Sequence, residues 1–230
     1  MRMRQIVRWT ALALALALVT AGIMLFSDHV RASQEMATAS GAAASASNRA
    51  TTIQQTSSSL IAGSVLTGRQ HAPGFSLIDQ YGRPLDLAQL RGHPVFLTFM
   101  DATCKQECPV TAQYLNWTSQ FLGAKDASQV AWIAVSVNPT NTAAEAHAFI
   151  AKNKPGVLLR FGLGSQQQLS AVWNAYHITV IPAAQNHGDT GHTVVFYLID
   201  KQGREREIVD QGFDPKQMAH DLRTLLSERG

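Results

Sequence analysis

Cys104 and Cys108, the two cysteines of this 230-residue chain, stand three residues apart in "DATCKQECPVT" and immediately precede Pro109. Such a pair can be a structural staple, a redox pair that trades electrons with other thiols, or two arms of a metal clamp. Proline is accepted in a helix only in the first turn, where its missing N–H would lack a partner anyway. Pro109 therefore puts Cys108 at the mouth of a helix and Cys104 in the loop that leads into it. Unpaired N–H groups and the helix dipole favour a thiolate there, and Lys105 adds positive charge. A disulfide closing so short a loop stabilises by only on the order of 2 kcal/mol, and a domain of this size has a core that does not depend on it. Redox and metal chemistry remain. The commoner redox spacing is Cys-x2-Cys. The wider spacing separates the sulfurs and suits two bonds to one soft ion such as Cu(I) at least as well, and since imidazole also suits copper, the third arm should be a histidine.

The elements that must hold these residues follow from the apolar pattern. "FSLID" and "RPLDL" flank a "QYG" turn as a hairpin, and Pro94 to Met100 ("PVFLTFM") is a buried strand running into the cysteines. Beyond them Val110, Tyr114, Trp117 and Phe121 recur at helical spacing, with Leu115 and Leu122 beside them, which predicts one apolar stripe of a helix. "VAWIAVSV" is a second strand, followed by a helix from about Thr142 to Asn153. "GVLLRF" is a third, and Ser165 with Gln168 forms a capping box that opens a helix through Tyr176. "TVVFYLID" from Thr193 and the more polar "REREIVDQ" make a closing hairpin. Asp214 and Pro215 start a last helix that buries Met218, Leu222, Leu225 and Leu226. This order predicts an α/β fold, a central mixed sheet flanked by helices with an N-terminal hairpin. With two cysteines between a core strand and a helix, it reads as thioredoxin-like.

That fold sorts the eight histidines. His29 and His71 precede the domain or lie at its entrance, His93 sits in a turn at the far end of the cysteine-bearing strand, and His147, His177 and His220 belong to helices. His187 and His192 stand in the loop before the strand at Thr193, the segment that faces the cysteine loop in a thioredoxin-like fold. His192, one residue before that strand, is the candidate third arm.

Upstream, "MRMRQIVR" followed by the apolar run from Trp9 to Phe26 has the form of an export signal, with Val30 and Ala32 at a small-residue cleavage site. The run is equally long enough for an uncleaved membrane anchor. Residues 1–32 are thus expected to be a signal peptide or anchor and 33–70, rich in Ser, Ala and Thr, a flexible tether. Residues 71–230 form the folded domain. Apolar Leu60, Ile61, Val65 and Leu66 at the end of the tether can pack on that domain. The formal charge of +3 comes from the leader, because removing its four arginines and Asp28 leaves 15 basic and 15 acidic residues. Nothing suggests a nucleic-acid surface. Export places the domain in the periplasm or on the outer face of the membrane, where disulfides persist.

The Cys-x3-Cys-Pro loop after a strand, the "SVNP" at Ser136 to Pro139, and a histidine followed by Thr and a "YLID" strand resemble the Sco/SenC family of copper-binding thioredoxin-like proteins. The resemblance covers about Ala72 to Leu226. It implies that Cys104, Cys108 and His192 bind a copper ion, Cu(I), Cu(II) or both. It also implies a role in assembling the dinuclear copper centre of cytochrome c oxidase, by delivering copper to an acceptor such as subunit II or by reducing its cysteines. Three departures stand out: Lys105, Gln106 and Glu107 fill a loop that commonly reads Pro-Asp-hydrophobic, Gly191 precedes His192 where the family has Asp, and Asn138 replaces the Asp of "SVDP". Besides a copper-binding assembly protein, the residues support a thiol-disulfide oxidoreductase acting on an exported client and restored by a thiol reductant.

Overall fold

The computed structural model describes residues 62–66, 70–186 and 190–229. The expected leader, most of the tether, and His29 and His187 lie outside the described residues. In chain order the elements are β1 (Ser64–Val65), β2 (Ser76–Ile78), β3 (Pro84–Asp86), β4 (Val95–Met100), α1 (Glu107–Leu122), α2 (Ala124–Ala127), β5 (Ala131–Ser136) and α3 (Ala143–Asn153). There follow β6 (Leu159–Gly162), α4 (Gln166–Ala175), β7 (Val180–Ile181), β8 (Gly191–His192), β9 (Val195–Ile199), β10 (Glu205–Asp210) and α5 (Pro215–Ser227).

Among the described residues a six-stranded mixed sheet runs β1-β10-β9-β4-β5-β6. β4, β5 and β6 are parallel, and β9 runs antiparallel to β4 with Thr98 opposite Phe196. Strands this central are buried on both faces. Along β4, Phe96 and Met100 point into a core shared with α1, α3 and α5, while Val95, Leu97 and Phe99 point into one shared with α4 and the β2–β3 hairpin. This is the predicted thioredoxin-like arrangement of a mixed sheet flanked by helices. The Gln80 side chain completes the outer edge: its amide oxygen accepts from Phe161 N (2.8 Å) and its NH2 donates to Leu159 O (2.9 Å), so the hairpin covers backbone groups of β6 that would otherwise be open.

Local chemistry sets the helix starts. Ser165 and Gln168 form the expected reciprocal capping box of α4, and Asp214 accepts from Lys216 N ahead of Pro215 at the start of α5. The buried face of α1 differs from the expected one. Val110, Trp117 and Phe121 are exposed and Tyr114 is half-buried against Phe213, while Cys108, Thr111, Ala112, Leu115, Ser119 and Leu122 face inward. α1 packs closely against α5 and the sheet, and that approach admits small side chains between the leucines. The larger aromatic stripe is left outside.

Ser64–Val65, within the stretch read as a tether, adds β1 to the edge of β10. It is held by two buried carboxyl groups: Ala62 N donates to Asp221 Oδ2 (2.6 Å) and Gly63 N to Glu207 Oε1 (2.5 Å). Only glycine fits at 63, since a Cβ would stand 2.5 Å from Ile208 O and 2.7 Å from Val209 Cγ2.

Candidate metal centre

β4 ends at Met100 and the chain turns through Asp101–Gln106 into α1. β9 begins beside that end of β4, where Thr98 Oγ1 donates to Val195 O at 3.2 Å. The antiparallel pairing of β4 and β9 therefore brings the cysteine loop and the segment carrying His192 to one end of the sheet. The two-stranded β7–β8 ribbon, with Val180 opposite His192, holds the histidine outside the main sheet. β9 starts at Val195 rather than at the expected Thr193, because Thr193 is engaged with Thr179: its N–H donates to Thr179 O (3.0 Å) and its Oγ1 accepts from Thr179 N (3.1 Å). Gly191 fits the tightness of the ribbon, as a Cβ there would come within 3.0 Å of Asn186 Nδ2.

Cys108 is the second residue of α1 and is buried, whereas Cys104 in the loop is half-exposed, and both are free thiols. Cys108 N donates to Cys104 Sγ at 3.4 Å, so the sulfur of one cysteine caps the helix that contains the other. The Cys108 side chain and the N–H groups of Cys108, Gln106 and Glu107 hold the Cys104 thiol down at about 6, against the burial that opposes them. Cys108 moves the other way, pushed up by its hydrogen bond to Cys104, by burial and by the charge of Cys104. At neutral pH Cys104 is the thiolate of the pair.

Beneath the loop lies a residue that the motif contained but the sequence reading did not use. Asp101 is 3% exposed, and its carboxylate accepts from Thr103 N (2.8 Å), Thr103 Oγ1 (2.7 Å), Asn138 Nδ2 (3.1 Å) and Asn141 Nδ2 (3.0 Å). Burial alone would raise its pKa, but those donors outweigh it and keep the group ionised. Asn141 also accepts from Ala102 N (2.9 Å), which ties the loop to the end of β5. The available signal was an aspartate directly after an apolar strand and before the cysteines, a position where an ionised group needs donors from elsewhere. Asn138 is one of them, and an aspartate in its place would face Asp101 with like charge.

His192 is half-buried, and its Nδ1 lies 2.9 Å from Thr193 O. A carbonyl only accepts, so Nδ1 carries the proton and Nε2 keeps its lone pair. Burial lowers the pKa of this imidazole despite the opposing Thr193 hydrogen bond and the charges of Asp101 and Glu107, so the ring is neutral at pH 7. His192 and Cys104 line one cavity of about 480 Å³ together with Lys105, Glu107, Asn186, Thr190, Val194 and Gln211. Cys108 lies behind that wall, in the core cluster that Cys104 and Val194 pack against. Among the described residues no three His, Cys, Asp or Glu side chains already form a metal-holding group. The chain thus offers a thiolate and an imidazole lone pair on one wall with a second thiol behind them. That donor set fits a soft or borderline ion once the side chains draw together. A larger cavity of about 730 Å³, beside Pro139, Trp173 and Pro182, has no thiol, imidazole or carboxylate among the described residues that line it, of which Thr190 also lines the first. Two of the other histidines are engaged elsewhere: His93 Nδ1 meets Gln129 O (3.0 Å), and the His147 ring packs against Tyr81.

The SCO1/SenC family model matches residues 65–227. No curated protein sequence matches the chain. Among solved structures, ScoI of Bradyrhizobium japonicum with copper bound is 25% identical with a TM-score of 0.60, the match covering 67% of this chain and 99% of that one. ScoI of Arabidopsis thaliana with copper bound is 20% identical with a TM-score of 0.60, over 67% of this chain and 97% of that one. BsSco, described as having a disulfide switch and as a member of the Sco family of cytochrome c oxidase assembly proteins, is 18% identical with a TM-score of 0.60, over 73% and 98%. The last two likenesses concern the fold alone.

Proposed function

Because the chain belongs to the SCO1/SenC family, we propose that it is a copper-binding protein that assists assembly of the copper centre of cytochrome c oxidase. Copper is its cargo, held by Cys104 Sγ, Cys108 Sγ and His192 Nε2. The observation that carries this reading is the shared cavity wall of Cys104 and His192, one presenting a thiolate and the other an unprotonated ring nitrogen. Two thiolates suit Cu(I), and the imidazole extends the set to either oxidation state. Deprotonation of Cys108, costly when the site is empty, is driven by the bond its sulfur makes to the ion. The open lip of the cavity then lets an acceptor protein, with subunit II of the oxidase as the proposed client, take the ion by ligand exchange.

Residues 1–32 are proposed to export the domain to the periplasm or the outer face of the membrane, either as a cleaved signal or as an anchor, with the residues between that leader and the edge strand Ser64–Val65 as tether. Among the described residues no helix is long and apolar enough to cross a membrane. Copper titration of the reduced protein tests the reading: one ion per chain is expected, with binding weakened at least about tenfold in His192→Ala. Equal affinity in that variant would refute the site.

The unequal cysteines also favour a second reading, thiol-disulfide exchange with a client. The Cys104 thiolate attacks one sulfur of the client's disulfide and displaces the other as a thiolate. Cys108, on losing its proton, then attacks Cys104 Sγ and releases the second client sulfur, which leaves the client reduced by two electrons and Cys104–Cys108 oxidised. Turnover of a disulfide substrate by the metal-free protein, insensitive to His192→Ala and sustained by a thiol reductant, would favour this reading over metal transfer.

A further inference from the structure

Glu107 opens α1, where a carboxylate gains from the helix dipole whichever way it points. This one turns back over the cysteine loop: its Oε2 lies 3.9 Å from Cys104 Sγ, and its side chain lines the same cavity as Cys104 and His192. Cys104 Sγ binds a metal ion as its thiolate, so in the loaded site a thiolate and a carboxylate face each other. The arrangement is favourable only with positive charge between them. Lys105, also on the cavity wall, is the one other charged side chain there among the described residues.

We propose that Glu107 is a fourth donor to the bound copper, through Oε2, and that it biases the site toward Cu(II). The inference rests on the copper reading above. Two thiolates and a neutral imidazole give Cu(I) a complex of charge −1 and Cu(II) a neutral one. Adding the carboxylate makes these −2 and −1, so the more highly charged ion is better matched to the enlarged donor set. Oxygen is also the harder donor, and sets of four including nitrogen and oxygen suit the tetragonal preference of Cu(II), whereas Cu(I) is satisfied by thiolate and imidazole. The sequence pattern singled out Glu107 as an unusual filling for this loop, and its geometry gives the substitution a use.

The test compares the parent, Glu107→Gln and Lys105→Ala for Cu(I) and Cu(II) affinity by chelator competition, and for the reduction potential and electron paramagnetic resonance of the loaded protein. Glu107→Gln is expected to lower Cu(II) affinity at least about tenfold and leave Cu(I) affinity unchanged. The bound-copper potential then rises by about 59 mV for each tenfold, and the Cu(II) hyperfine pattern changes. Lys105→Ala is expected to leave that pattern intact. Unchanged potential and spectrum in Glu107→Gln, or an equal loss for both ions, overturns the proposal while leaving the three-ligand site standing. A parent that binds neither ion overturns both.

Discussion

The backbone N–H of Cys108 donates to the sulfur of Cys104 at 3.4 Å, so within one loop the first cysteine serves as the cap of the helix on which the second is buried. Two identical side chains are thereby given opposite tendencies, one stabilised as a thiolate at the cavity wall and the other held as a thiol in the core. The proposed metal capture and disulfide exchange would both draw on that difference.

Alkylation reads it directly. In the folded, metal-free protein Cys104 is expected to react with iodoacetamide with a midpoint near pH 6, below the ordinary cysteine value of about 8.5. Cys108 stays unmodified until unfolding. Since the side chain of Cys108 is the largest influence on Cys104, Cys108→Ala should raise that midpoint. Peptide mapping across pH checks both, and equal reactivity of the two cysteines would contradict the asymmetry.

Asp101 holds the loop that makes this possible. Asp101→Ala strips the partner from the side-chain amides of Asn138 and Asn141 and from Thr103 N. A loss of at least about 3 kcal/mol in urea unfolding is expected, together with weaker copper binding as the loop loosens. A stability within about 0.5 kcal/mol of the parent, as for an ordinary surface change, would show that the network is dispensable.

Glu207 gives a pH dependence. Burial, and then the neighbouring charge of Asp221, push its pKa up to about 7 from an ordinary 4.5. Between those values the folded chain holds a proton that the unfolded chain releases, so this contribution to stability is present at low pH and is lost as pH rises through the folded value. Glu207→Gln keeps the neutral shape at every pH. Its stability relative to the parent should therefore improve by roughly 2 kcal/mol between pH 5.5 and pH 8. Parallel stability curves for the two proteins would rule out the buried proton.

Much of the architecture is legible in local sequence because local chemistry sets it: apolar runs for β4 and β5, Ser165 with Gln168 for α4, Asp214 and Pro215 for α5, and Pro109 for the placement of Cys108 in the first turn of α1. The face that α1 buries is not legible this way. Hydrophobic periodicity favours the large residues Val110, Trp117 and Phe121, whereas the close approach of α5 selects small ones such as Ala112 and Ser119. Nor is the support of the site local. Asp101 finds Asn138 and Asn141 at separations of 37 and 40 residues, and Gly63 finds Glu207 at 144. Neither partnership leaves a periodic trace. The candidate site side chains are legible as residue types, but the opposite tendencies of Cys104 and Cys108 depend on the burial of one sulfur and the capping role of the other.

X-ray absorption at the copper edge of the loaded protein reads whether one copper ion is held by both cysteines and His192. Two sulfur neighbours and an imidazole nitrogen are expected in the parent, with the imidazole scattering lost in His192→Ala and one sulfur lost in Cys108→Ser. A parent spectrum with fewer than two sulfurs, or an imidazole signal that survives in His192→Ala, would contradict it.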